Sequence, residues 1–305
     1  MVVPWIVVFI SNVFVILVVA RHKKLHTKTW ALLANLAVAD MVTALILAVR
    51  ESTRVALWLL DLAAVTPKWF CLSWLWFSFI FTRAAYSLTL AVALDRLLVL
   101  AAPVFYRAKL HAGYTKGLLL LAWADGVMHA VVVALYNKDY MDRVPVALPA
   151  VKRFQQNKSM VMNSLVVVFY AAQFLLLNGK SILNKIVGKK LENGESQNNG
   201  EEQNSFEAKV TRSIGIILLI FITTTYLRTL VITLLLHYTT KATQQLVTPY
   251  LRVFTVVNSA ANLFIFLFIV EEFRVGFWKV IGKQQHPKKE NKVEPKKVIR
   301  HHATK

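Results

Sequence analysis

The sequence predicts an all-α membrane protein: a seven-transmembrane helix bundle, amino terminus outside, with a short amphipathic helix after span seven. Three observations lead there. Apolar residues come in runs of about 19 to 25, long enough to cross a hydrocarbon core about 30 Å thick. Charged residues make up 17% of the chain, against about 25% in a soluble domain. Lys and Arg gather beyond alternate ends of the runs. A water-soluble bundle would interrupt each run with a charged face.

Span one is roughly 2–20 and leads into the basic turn RHKKLHTK. Span two begins near Thr29 and reaches about residue 57, and VALWLLDLAAV (55–65) forms its end and a short loop. Span three covers about 70–99, span four 117–136 and span five about 159–183. Spans six and seven cover about 213–237 and 248–270. These make up a membrane domain over 1–270. EEFRVGFWKVIG (271–282) then sets Phe273, Phe277, Val280 and Ile281 on one helical face, as in a helix lying on a membrane surface. The polar segment 188–209 and the basic tail 283–305 read as disordered. The tail is suited either to anionic inner-leaflet lipid or to plain solvation.

Orientation follows from the basic residues. The turn after span one, the loops after spans three and five and the final tail hold 24 of the 36 Lys and Arg residues. The positive-inside rule makes those sides cytoplasmic. Asn157-Lys158-Ser159, a glycosylation sequon, falls between spans four and five on the predicted outside. Span one has no basic start, unlike a signal peptide. The net charge of +20 is the charge of cytoplasmic loops, so no nucleic acid partner is expected. Cys71 stands alone, which excludes an intrachain disulfide and a cysteine metal cluster.

Motifs narrow the class. Span one carries Asn12 in SNVFVILVV, and span two carries NLAVAD with its acid at Asp40. Span three runs from Cys71 to Asp95-Arg96-Leu97, followed by Pro103 and Tyr106. Span four has Trp123, and span seven has NSAANLFIF from Asn258 through Asn262. The chain resembles the rhodopsin-like (class A) G protein-coupled receptors along nearly its whole length. It is most similar to nematode chemosensory serpentine receptors of the SX type. The family pattern departs in places. Leu227 and Leu263 stand where the family has helix-kinking prolines, and Thr225 stands where it has a tryptophan. The resemblance therefore implies spans without the usual hinge points.

By this resemblance Asp95, Arg96 and Tyr106 form the G protein switch, with Asp95 holding Arg96 at rest. Replacing Asp95 by Asn is then expected to raise ligand-independent signalling. Asp40, Asn12, Asn258 and Asn262 form an intramembrane polar network similar to the family's sodium-and-water site. Phe81 and Ala85 replace polar ligands there, which favours a structural network over an ion site. Arg50, Arg83, Arg228 and Arg252, with Glu51, fall in the outer halves of spans, where the family's ligand cavity lies. Several guanidinium groups suit an anionic ligand. The alternative is that they reach outer headgroups or pair with Glu51, Asp61, Asp139 or Asp142. Trp74, Trp76, Phe77, Phe79 and Tyr250 are candidate apolar walls. Asp125 and His129, spaced i, i+4, suit a mutual hydrogen bond better than a metal site.

The expected function is transduction of a chemical or peptide signal to a heterotrimeric G protein at the plasma membrane, with membrane lipid as a further partner and no cofactor. A transporter or ligand-gated channel is the alternative, but neither internal repeats nor Gly/Pro-broken helices are evident. A retinal protein needs a lysine in span seven, and 248–270 has none. No enzymatic motif is present, so the chain is not read as an enzyme.

Overall fold

The structure is a computed structural model that describes residues 2–60, 68–102, 105–106, 112–137, 149–191, 216, 220, 222–238 and 256–282. Pro103, Tyr250, Arg252, Asp61, Asp139, Asp142, residues 192–209 and the tail 283–305 lie outside the described residues. So do the side chains of Cys71 and Trp74.

Every described element is helical. In chain order they are α1 (Val2–Arg21), α2 (Lys28–Leu59), α3 (Lys68–Ala101), α4 (Ala112–Asn137) and α5 (Pro149–Leu191). A π-helical turn, Ile222–Tyr226, leads into α6 (Leu227–Tyr238). α7 (Val256–Ile269) and α8 (Glu271–Val280) follow. Five of the helices contain apolar stretches long enough to span a bilayer. α6 and α7 are shorter apolar helices, and α8 turns away from α7 by 105°.

α5 departs most from the expected boundaries. It begins at Pro149 rather than near 159 and runs on to Leu191. Proline suits the first helical position, where no N–H is needed. Asn157, Lys158 and Ser159 are therefore helical, with Asn157 exposed.

α3 is the central stave and packs against α2, α4 and α5. Small residues allow this: Ala39, Ala84, Ala91, Ala93 and Ala122 are buried where the helices meet. Without a hydrophobic drive between helices in lipid, close backbone approach supplies much of the association. Gly126 marks the tightest point. A Cβ there would lie 2.5 Å from the Ile80 carbonyl oxygen and 3.3 Å from the Ala84 nitrogen. Large apolar side chains on the outer faces, such as Leu120, Leu175 and Phe268, are exposed, as lipid contact requires.

α1 and α8 form a second packing unit. Phe273, fully buried, stacks on Trp30 at 5.6 Å and leans on Phe266. Phe277 meets Phe14 at 5.5 Å. The apolar face read from the sequence is thus turned onto α1, α2 and α7.

The Gly126 contact makes one firm expectation. Gly126→Ala forces α4 off α3 backbone, which cannot yield as a side chain tip would. The cost is about 1–3 kcal/mol, read as a lowered melting temperature of the purified protein. An unchanged melting temperature would show that the helices are not held this close.

Candidate functional site

Two polar sites lie on α3, twelve residues and therefore about 18 Å apart along the helix. The first is at the end bearing the basic loops. Asp95 is fully buried there. Thr29, at the start of α2, donates to Asp95 Oδ2 at 2.7 Å, and Tyr106 donates to Oδ1 at 2.8 Å. Lys28 lies 5.4 Å over the Tyr106 ring. Burial first, then the Asp95 hydrogen bond, push the Tyr106 hydroxyl from 10.0 up to about 12. It therefore remains a donor at any physiological pH. The stabilisation is complete below pH 10.0 and lost as pH rises through about 12.

Arg96 is exposed; its charge is felt at Tyr106, but it does not hydrogen-bond Asp95. This corrects the expected resting lock: among the described residues Asp95 holds Thr29 and Tyr106, not Arg96. The reason is helical geometry, since neighbours i and i+1 do not face each other.

The second site joins α3, α4 and α5. Lys158 forms an ion pair with Asp125, and Ser87 donates to the other Asp125 oxygen at 2.7 Å. Arg83, only 6% exposed, donates to Ser159 at 2.9 Å and lies 5.9 Å from the Tyr86 ring. The Asp125 carboxylate is also within electrostatic reach of Arg83. His129 meets Phe79 edge-on at 6.0 Å. Asp125 is thus bound by Lys158 and Ser87, which corrects the expected Asp125–His129 hydrogen bond. No group of three metal-ligating side chains occurs among the described residues.

The remaining predicted residues are dispersed. Asn12 is buried, but its amide donates to the Val8 carbonyl of its own helix at 2.9 Å. Asp40 is hydrogen-bonded by Ser259, and Asn258 accepts from Thr224 at 3.2 Å. Asn262 is partly buried. The expected single network is therefore two neighbouring pairs that join α7 to α2 and to the π turn, and Asn12 stays out of both. Arg50 and Glu51 are partly buried on α2. Phe77 points outward at 56% exposure, so it does not line a cavity, whereas Trp76 and Phe79 are partly buried. Arg228 is partly buried on α6, and its Nε is buried without a hydrogen-bond partner among the described residues.

Comparison with known families matches residues 5–281 to the serpentine-type seven-transmembrane G protein-coupled chemoreceptors called Srsx. The chain belongs to the Srsx chemoreceptor family. A human protein, olfactory receptor 4L1, is 26% identical over 121 residues, which is 40% of this chain and 38% of that receptor. The chain therefore spans well under half of that relative in the matched region. The family is one of receptors, not enzymes, and the transporter or channel reading is not favoured. The receptor is a multi-pass membrane protein.

The sequence offers no sign of Thr29, Ser87 or Lys158 as partners in this chemoreceptor, and it pairs Asp125 with His129 rather than with them. Lys158 lies in a polar stretch that hydropathy places in a loop, and Pro149 is the one local sign of an earlier helix start. Thr29, at the first turn of α2, had no local signal that it would reach a residue in α3.

Removing one member of the Lys158–Asp125 pair leaves a charge without its counter-charge. Lys158→Gln or Asp125→Asn lowers stability by about 1–3 kcal/mol, less than for a fully buried pair, since each side chain is 29% exposed. The double variant loses less than the sum, with a coupling of roughly 1 kcal/mol or more. Thermal unfolding of the four receptors checks this, and strictly additive losses would show that the pair does not interact.

Proposed function

We propose that this receptor recognises an anionic small molecule or peptide at the end remote from the basic loops, and passes the event to a heterotrimeric G protein at the basic end, in the plasma membrane. Arg228 is the observation that carries the ligand class. Its Nε is buried and lacks a hydrogen-bond partner among the described residues. Its neighbour Thr229 accepts from Asn163 of α5 at 3.1 Å, and α5 also carries Lys158. Among the described residues of α3, α4 and α5, Arg83 donates to Ser159 and Lys158 pairs with Asp125. Arg228 adds a further positive charge on α6. Uncompensated charge within a bilayer is costly. A carboxylate or phosphate, accepting the guanidinium fork, removes that cost. A ligand that does so better in one arrangement of the helices than another shifts the population between them.

At the basic end, the same reading gives Arg96 and Asp95 separate roles. Arg96 is exposed and offers a cation to the G protein. Asp95 and Tyr106 hold the start of the loop after α3 in place beside it.

A G protein recruitment assay against a panel of carboxylates and phosphate monoesters tests the ligand class. Arg228→Gln is expected to raise the half-effective concentration of the acidic agonist by roughly 10- to 100-fold, the value of a lost charge-assisted hydrogen bond. Surface expression should stay unchanged. Full potency in that variant, or agonists that are all cationic, would remove the anionic reading.

The basic end makes a separate expectation. Tyr106→Phe and Asp95→Asn both free the loop, so both lower agonist-driven recruitment, and the double variant loses little more than either one. A rise in basal signalling with Asp95→Asn alone would instead restore an Asp95–Arg96 lock.

A further inference from the structure

We propose that the junction of α1 and α8 is a binding site for the phosphate headgroup of an anionic membrane lipid. A pocket of about 80 Å³ opens there, lined by Arg21, His22, Gly276, Lys279 and Val280. It is distinct from both sites on α3 and does not depend on the ligand proposed for them.

Three features build the pocket. The first is close approach of the two helices. Gly276 is buried, and a Cβ on it would meet Val18 Cγ1 at 3.0 Å and the His22 ring at 3.3 Å. Glycine lets α8 lie this near α1 without displacing the Val18 and His22 side chains.

The second is charge. Arg21 and Lys279 are exposed at the mouth, one from each helix. A helix carboxyl end normally repels anions through its free carbonyls. Here the Val18, Val19 and Ala20 carbonyls are occupied. His22 N–H donates to the Val18 oxygen, and the His26 ring reaches the Val19 oxygen at 3.0 Å and the Ala20 oxygen at 3.3 Å. The acids of α8, Glu271 and Glu272, are at its opposite end, about 10–12 Å from Lys279.

The third feature selects a lipid over a free phosphate. On α1, Val3, Val7, Ile10 and Leu17 are exposed large apolar side chains. At 100° per residue they share one face, and Arg21 falls on the same line. An acyl chain can therefore lie along this face with its phosphate at Arg21 and Lys279. A free phosphate uses the pocket but leaves the apolar stripe unused.

Native mass spectrometry of the full-length receptor with dioleoyl phosphatidylglycerol as probe, and phosphatidylcholine as reference, tests the site. One phosphatidylglycerol should bind in preference to phosphatidylcholine. Arg21→Gln with Lys279→Gln should weaken it by roughly thirtyfold, at about fivefold for each basic contact near a membrane surface. Arg21→Lys with Lys279→Arg keeps the charge and should keep the lipid, which separates loss of the site from loss of folding. Lys296→Gln with Lys297→Gln, in the tail, should leave binding unchanged. Equal loss in the tail variant would mean general charge attraction and would overturn the proposal. Unchanged binding in the Arg21/Lys279 variant would overturn it too, as would displacement of the lipid by millimolar inorganic phosphate.

Discussion

Hydrocarbon offers no hydrogen-bond partner, so a polar side chain on a spanning helix must find one on its own backbone or on a neighbouring helix. This requirement organises the bundle more than any one contact. Asp40 and Ser259 join α2 to α7. Thr29 and Asp95 join α2 to α3, while Ser87 and Asp125 join α3 to α4. Arg83 and Ser159 join α3 to α5, and Asn163 and Thr229 join α5 to α6. Thr224 and Asn258 join the turn before α6 to α7. The circuit closes on itself. Each tie is worth only about 0.6–1.7 kcal/mol, but each also fixes the rotation of two helices, because a one-residue turn would strand a polar group in lipid. Trp123 adds a cross-tie from α4 to Asn35 of α2 at 3.3 Å.

α1 is held differently. Its inward polar residues, Ser11 and Asn12, both donate to the Val8 carbonyl of α1 itself. What attaches α1 is apolar packing, with Val15 and Val18 fully buried and Phe14 against Phe277. Such contacts are non-directional, so α1 needs a second clamp to fix its position. α8 supplies it from below, with Phe277 against Phe14 and Gly276 close to Val18, while its Phe273 stacks on Trp30 of α2. Phe273 buries its ring with no polar atom to satisfy, so it can be enclosed at no desolvation cost. The charged half of α8, with Glu271, Glu272 and Lys279, stays exposed.

The order of the helices could be read from the sequence because run length is a local property, and the phase of Phe273 and Phe277 pointed to one apolar face of α8; the extent of α5 could not, since its polar first turns from Pro149 carry no hydropathy signal. The partners of Asp95 were not legible, because Thr29 is 66 residues away. Asp125 and His129 show the same limit. Spacing put them on one helix face, yet Lys158 of α5 outcompeted the histidine by bringing a full charge. Local spacing can say which side of a helix a group occupies. It cannot say which distant helix will face it. Adjacency in the chain misled most: Asp95 and Arg96 are neighbours in sequence and diverge in space.

The π-helical turn Ile222–Tyr226 is where the sequence and the structure differ most usefully. Without proline at Leu227, α6 has no residue that forces a kink, and a straight helix was expected. Proline is one way to break an i to i−4 ladder, but a polar side chain inserted into the ladder is another. Thr224 does this: its hydroxyl donates to the Ile220 carbonyl and also reaches Asn258 on α7. Thr229 and Thr233 continue the pattern, their hydroxyls donating to the Thr225 and Thr229 carbonyls at 2.8 Å. Three threonines over about two and a half turns thus offer backbone carbonyls an alternative partner, which loosens the helix locally. The widened turn sits between the tie to α7 at Asn258 and the tie to α5 at Asn163. Displacement of either neighbour therefore acts on the weakest stretch of α6. The threonine-rich π turn, tied to α7 through Asn258 and followed by the tie of Thr229 to Asn163 of α5, ends immediately before Leu227, the position where the resemblance implies a proline.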